Sequence, residues 1–409
     1  MVSRHTPFLI AGAILAILIY SRGFLVPPNP VYLWGAQELR AGRTGPHLYD
    51  EAVARSATLA MTEGRFGEIL PPTPPSIALF TLPWTLIPAS ALALVWTLGN
   101  GIAVAIACVL ILTVVASGPG PCSIWGLLAS GAALLAAGLS PAMFDNLIRG
   151  QVFAWLLASL ALACWGAATT RQWAVGLGLA SAMLLKLAAW PAWIALAVQR
   201  QWSALRWAGM LTFIVLLASL PWIGPDTWTF YMLSILPAWL VEPRSAVPAY
   251  QTLPGIWRHM LAYHPIWNPA PLLDVPWLAG FLTVTSSAVV LMSVLTLAAV
   301  EEEPLAMIGC AIVASIICSP VAEQHHYLLA VIPLAGVAGR WPELNGWLRA
   351  GTVLSAALMY LPLPFKDPSY WAGWWGLLAY PRLYGGLTLL GVLVIRRFST
   401  ARKSVAATS

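Results

Sequence analysis

The residues most able to do chemistry stand where an apolar chain would not be expected to carry them. Lys186 lies inside LGLASAMLLKLAAWPAW, an otherwise apolar run. An ionisable group at membrane depth is costly, so it is a functional candidate by default, and a compact ammonium suits a phosphate. Its plain alternative is a lysine snorkelling from a helix end. In SPVAEQHH, Ser319 to His326, two adjacent histidines follow Glu323 closely. Such a group can hold a phosphate or relay a proton, or simply form an interfacial turn broken by Ser-Pro. DNLIRGQ, Asp145 to Gln151, offers Arg149 for an oxyanion, Gln151 for a hydroxyl and Gly150 for close backbone approach. The alternative is a short loop with a snorkelling arginine. YQTLPGIWRH, Tyr250 to His259, adds Gln251 and Arg258, side chains that can meet a sugar or a phosphate. LPPTPP, Leu70 to Pro75, reads as a structural device that fixes an extended entry into the next segment.

The elements that must position these groups are membrane-spanning helices. Hydrophobic residues make up 59% of the 409, charged residues 9%, and mean hydropathy is +0.78. A soluble domain carries about 25% charged residues, so lipid must cover much of this surface. The 22 tryptophans suit the headgroup zone. Spans of about 20 apolar residues are read at 8–26, 90–116, 123–144, 150–168, 204–223, 277–299, 304–319, 326–339, 347–364 and 383–396. The first is read as a retained span, with Arg22 snorkelling, rather than a cleaved signal. The run 173–199 is interrupted by Lys186 and Pro191. Basic residues on both flanks, Arg171 before and Arg200 and Arg206 after, favour two half-helices meeting near Lys186. The expected fold is all-α and polytopic, with about ten to twelve transmembrane helices. One membrane domain is expected over 1–397, and a loose cytoplasmic tail over 398–409.

Sidedness follows from the basic residues. Arg4, Arg171, Arg200, Arg206, Arg340, Arg349, Arg396, Arg397, Arg402 and Lys403 then fall inside, and two long segments, 27–76 and 225–276, fall outside. Segments 31–42 and 50–64 have helical spacing with mixed faces, which suits helices lying in the interface. Segment 75–88 is apolar but too short to span. Eleven of the fifteen acids and five of the six histidines are then outside, so any chemistry is at the outer face. The inner run Glu301 to Glu303 reads as a solvated helix cap. Cys108, Cys122, Cys164, Cys310 and Cys318 form no CxxC and read as core hydrophobes. No Walker loop, metal-ligand spacing or D-x-D pair occurs. The net charge of +6 is scattered at segment ends, which does not suit nucleic acid.

Taken in order, VYLWGAQELRAGRTGPHLYD, LPPTPPSIALFTLPWTLIP, NLIRGQVFAWLL, GLASAMLLKLAAWPAW, QTLPGIWR and SPVAEQHH resemble glycosyltransferase family 87. These are polyprenyl-phosphate-mannose-dependent mannosyltransferases of the GT-C fold. The resemblance implies a polyprenyl-phosphate-linked sugar donor, a glycolipid or glycan acceptor, inversion, no cofactor or metal, and a multi-pass protein of the cell membrane. It points to Tyr32, Arg149, Gln151, Lys186, Gln251, Arg258, His325 and His326 as substrate-binding. The family carries an acid a few residues before its first-loop tyrosine, but Pro27-Pro28-Asn29-Pro30 precede Tyr32 here. Another carboxylate must then act as base: Glu323 first, Asp50 second, Glu38 third. A transporter or flippase of a polar lipid, or a catalytically altered family member, is the alternative.

Overall fold

A computed structural model describes residues 25–408 apart from 66, 68–72, 119–122 and 302, and of 400–408 the backbone alone. Most of the expected first span, Leu70 to Pro72, Glu68, Glu302 and Cys122 lie outside the described residues. The described chain is helical throughout, with one isolated bridge between His264 and Asn268. It is an all-α polytopic membrane protein. Two short helices, α1 (Pro30–Arg40) and α2 (Glu51–Met61), lie in the first long segment. Then come α3 (Ser76–Thr81), α4 (Ala89–Ala116), α5 (Ile124–Gly138), α6 (Pro141–Ile148), α7 (Phe153–Ala168), α8 (Gln172–Lys186), α9 (Trp190–Val198) and α10 (Trp202–Ile223). The second long segment holds short helical turns and α11 (Leu253–Leu261). It is followed by α12 (Pro276–Val300), α13 (Pro304–Ile317), a 3-10 turn (Gln324–Ala330) running into α14 (Val331–Gly339), α15 (Gly346–Tyr360) and α16 (Pro381–Thr408).

Three of these, α4, α10 and α12, are each long and apolar enough to cross a bilayer alone. Two bent pairs qualify together: α5 with α6, at 44°, and Gly373–Ala379 with the start of α16, at 58°. The other expected spans are shorter as helices than as apolar runs, because their ends are spent on turns. At ~1.5 Å per residue, α8 covers about 22 Å and α9 about 13 Å of a hydrocarbon core about 30 Å thick. Protein surrounds the short α13 around its whole circumference, whereas α8 and α9 keep exposed apolar residues at Trp173, Leu177 and Ile194. By contrast, only 17% of the apolar window of α10 and 11% of that of α12 are buried, and α12 bares Phe281, Val284, Val289 and Met292. Without water to receive them, these faces require lipid.

The helices run back and forth between two ends. At one end Asn29 N–H meets the Gly150 carbonyl, and Lys186 meets Tyr32 and Phe153. At the other end Gln199 donates to the carbonyls of Ala298 and Glu301, and Arg396 pairs with Glu301 at 3.1 Å. So α8 rises to the first end and α9 returns to the second. The run 173–199 is two helices, broken where Leu187 takes φ +50° and Pro191 opens α9. Exposed tryptophans mark both ends: Trp277, Trp374 and Trp375 at the first, Trp125, Trp202 and Trp347 at the second.

Three expectations are corrected. Helix α1 is not laid open in the interface. Asn29 caps it, and every residue from Val31 to Leu39 except Gln37 is buried. Glu301 and Glu303 are not a solvated cap. Glu303 does accept from the Leu305 and Ala306 N–H groups, but Glu301 is buried and Glu303 largely covered, both beside Arg396. Residues 398–408 continue α16 as helix, in keeping with their alanines, lysine and arginine.

Helix α5 crosses α14 so closely that a Cβ on Gly126 would overlap the Gly339 carbonyl, whereas nothing lies within 4 Å of one on Gly131. Gly126→Ala is expected to destabilise by about 1–3 kcal/mol through overpacking. Gly131→Ala, on the same helix, is expected to stabilise slightly through helix propensity. Thermal unfolding of the two detergent-purified variants checks this. Equal midpoints would remove the crossing.

Candidate active site

The site assembles around the turn between α6 and α7. Gly150 stands there at φ +59°, and a Cβ would overlap the Pro27 carbonyl and the Asn29 nitrogen. Only glycine lets the first segment lie against this turn. Asn29 then closes the contact three ways. Its N–H donates to Gly150 O at 2.9 Å, its Nδ2 donates to Arg149 O at 3.0 Å, and its Oδ1 accepts from Val31 N–H at 3.0 Å to cap α1. That places Tyr32, fully buried, with its hydroxyl donating to Gln151 Oε1 at 2.8 Å. Across from it the last residue of α8, Lys186, holds its ammonium 5.5 Å from the ring centres of both Tyr32 and Phe153.

A paired network fills the next layer. Asp145, 6% exposed, accepts from Arg149 Nε at 3.1 Å and from His325 Nδ1 at 2.7 Å. The same guanidinium reaches Glu323 Oε2 at 3.3 Å through Nη2. Phe153 packs on both histidines, at 4.8 Å to His325 and 4.5 Å to His326, whose rings lie 4.6 Å apart. His326 Nδ1 accepts from Glu323 N–H at 3.2 Å, so a neutral His326 carries its proton on Nε2. Asn146 Oδ1 accepts from Phe153 N–H at 3.0 Å and fixes the start of α7. Lys186 and Arg149 both lie within electrostatic range of His326, and Lys366, from the 361–380 segment, within that of Asp145.

Tyr32, Arg149, Gln151, Lys186, Glu323, His325 and His326 are therefore brought together. The other four candidates are engaged elsewhere. Gln251 is buried; its Nε2 donates to the carbonyls of Pro248 and Ala379 and its Oε1 accepts from Arg382 N–H. Arg258 donates to the carbonyls of Leu240 and Glu242 and to Ser245 Oγ. Asp50 caps α2 through the Ala52 and Val53 N–H groups. Glu38 is buried and held by Arg43 at 2.5 and 2.7 Å and by His47 at 2.6 Å. Asp145 is the group that sequence reasoning passed over. The available signal was the four-residue spacing of Asp145 and Arg149, which puts both on one helix face.

Asp145, Glu323 and His325 have donor atoms within 4.8 Å of one another, and their types could hold a divalent cation. Arg149, however, already reaches both carboxylates, and His325 Nδ1 is tied to Asp145. A metal would have to displace the guanidinium and break that bond.

With this geometry in view, comparison is informative. Residues 73–320 match the family model of Glycosyltransferase family 87. The chain belongs to this family. Comparison with curated proteins and with solved structures gave no significant match. This family-87 chain is thus a membrane glycosyltransferase, with a sugar donor and an acceptor as its substrates. The matched stretch holds Asp145, Arg149, Gln151 and Lys186. It begins after Tyr32 and ends before Glu323 and the histidines, which only the fold adds to the site.

Glu38 now has a structural role with a pH signature. Its carboxyl is held below its ordinary value of 4.5, chiefly by the Arg43 hydrogen bonds, against burial and with help from His47. The unfolded chain therefore takes up the proton first as pH falls. The stabilisation is complete above about pH 4.5 and fades as pH falls through the lowered folded value. Glu38→Gln is expected to lower the unfolding midpoint at pH 7, and the gap to wild type should narrow by pH 4. A gap that does not change with pH would contradict this.

Proposed function

We propose that this chain moves a sugar, mannose by its resemblance, from a polyprenyl-phosphate donor to a glycolipid or glycan acceptor at the outer face of the cell membrane. The transfer inverts the anomeric centre and uses fixed cations in place of a metal. The observation that carries the reading is Lys186: an ammonium at the break between two half-length helices, faced by Tyr32 and Phe153 and within electrostatic range of His326. In this reading its partner in the reaction is the donor phosphate. The leaving polyprenyl phosphate carries its negative charge already, so a preorganised ammonium can steady it as the bond to carbon breaks. A cavity of about 360 Å³ is lined by Ser76, Phe80, Trp155, Ser181, Val215 and Leu185, the residue before Lys186 in sequence. It is largely apolar, as a prenyl chain requires. Gln151 and Glu323 supply acceptors for sugar hydroxyls beside this phosphate position.

Lys186→Met keeps most of the side-chain volume and removes the charge. A charge-assisted contact worth about 1.5–3 kcal/mol corresponds to roughly ten- to hundredfold in affinity. The donor KM is therefore expected to rise by about that factor, with the acceptor KM little changed. An unchanged donor KM in the purified enzyme would return Lys186 to a snorkelling role.

Sidedness has its own test. Single cysteines at Ser56 and Ala270, both exposed, and at Asn345, exposed at the opposite end, are placed in a background without native cysteines. The first two should react with an impermeant thiol reagent in intact cells, and Asn345→Cys only after permeabilisation. The reverse pattern would move the site to the cytoplasm and overturn the outer-face assignment.

A further inference from the structure

We infer that the proton acceptor in this chain is His325, positioned by Asp145, rather than a free carboxylate; the inference rests on the transferase reading above. The carboxylates available are few and mostly committed. Position 29 carries an amide whose oxygen and nitrogen are both used in capping and tethering. Glu38 is locked by Arg43 and His47, and Asp50 by the N-terminus of α2. Asp145 has one donor on each oxygen, Arg149 on Oδ1 and His325 on Oδ2. Glu323 is engaged by the Arg149 guanidinium, whose Nη2 lies 3.3 Å from its Oε2.

His325 is arranged differently. A carboxylate beside Nδ1 requires the proton there, so the Nε2 lone pair is the one left to accept. Among the described residues Nε2 has no hydrogen-bond partner. The ring packs against both Phe153 and His326, is tied to Asp145, and only 4% of the side chain is exposed, so its direction is fixed. The step balances simply. The acceptor hydroxyl oxygen bonds to the anomeric carbon as the bond from that carbon to the phosphate oxygen breaks. The bonding pair leaves with polyprenyl phosphate, and the hydroxyl proton passes to Nε2. The imidazolium so formed is stabilised by Asp145 and later gives its proton to water. Asp145 touches no substrate; it fixes the tautomer and steadies the charge.

The pH profile separates this role from a phosphate-binding imidazolium. A base must be neutral, so kcat/KM should fall on the acid side. A cationic phosphate ligand would give a fall on the alkaline side. His325→Gln is expected to lose about 10²–10⁴-fold in kcat with donor KM nearly unchanged. Asp145→Asn should lower kcat and shift the acid limb, while Glu323→Gln shows the smallest loss of the three. Thermal unfolding of each purified variant establishes that it is folded. If Asp145→Asn unfolds, the acid limb of the wild type and the folded His325→Gln decide. An alkaline limb in the wild type, or a nearly active His325→Gln beside an inactive Glu323→Gln, overturns the assignment and leaves the transferase reading intact. Failure of the wild type to use any polyprenyl-phosphate sugar would instead sink that reading.

Discussion

A charge enclosed by a lipid-covered helix bundle must find a partner, and this constraint organises both ends of the molecule. Removing an ion from water costs several kcal/mol even after relaxation, and only a close opposite charge with good geometry offsets it. At the end away from the site, Arg396 meets Glu301 and Glu303, tying α16 to the link between α12 and α13. At the site end Arg149 spans Asp145 and Glu323, while His325 takes the other oxygen of Asp145. The first arrangement only joins helices. The second joins α6 to the turn before α14, beside Phe153 and the two histidines.

The site depends on contacts between segments far apart in sequence, and one backbone conformation makes them possible. With φ +59° at Gly150, the α6–α7 turn exposes its carbonyls to the segment before α1. Asn29 reads two of them and caps α1 in the same step, so Tyr32 is placed by a backbone clasp rather than by its own hydroxyl bond. A second clasp lies behind the histidines. Gln251 N–H donates to Ala322 O, Tyr327 hydroxyl donates to Gln251 O, and Arg382, 1% exposed, donates to the carbonyls of Leu358 and Leu361. These bonds hold the turn that carries Glu323 and His325 against the second long segment and the start of α16. Gln251 thus belongs to the wall behind the histidines.

Apolar runs, proline punctuation and basic flanks made the helical fold legible, and they placed the break near Lys186. Composition could not say how long each helix would be once turns were subtracted, nor that α1 would be covered. Helix burial depends on what packs over it, which no local pattern records. The clusters around Arg149, Lys186 and His325 were legible because polar residues are out of place in apolar sequence. Gln251 and Arg258 were misleading for the same reason: a buried loop must satisfy its own carbonyls, and those side chains serve that need. Asp145 was visible but undervalued, since its partnership with His325 spans 180 residues.

Asn29 shows why the departure from the family pattern is more than a missing base. An aspartate at this position could still cap α1, because its oxygen accepts from Val31 N–H as the amide oxygen does. It could not replace the amide's donor half. Nδ2 gives a hydrogen bond to Arg149 O, and a carboxylate would set negative oxygen against that carbonyl in a buried place. Arg149 is also the residue whose guanidinium holds Asp145 and Glu323, so the amide bonds the backbone of a residue in the acid network. The amide, the glycine turn and the Asp145–His325 pair therefore form one consistent arrangement. In it the first segment contributes structure and the Tyr32 wall, while α6 and the turn before α14 contribute the groups able to move a proton.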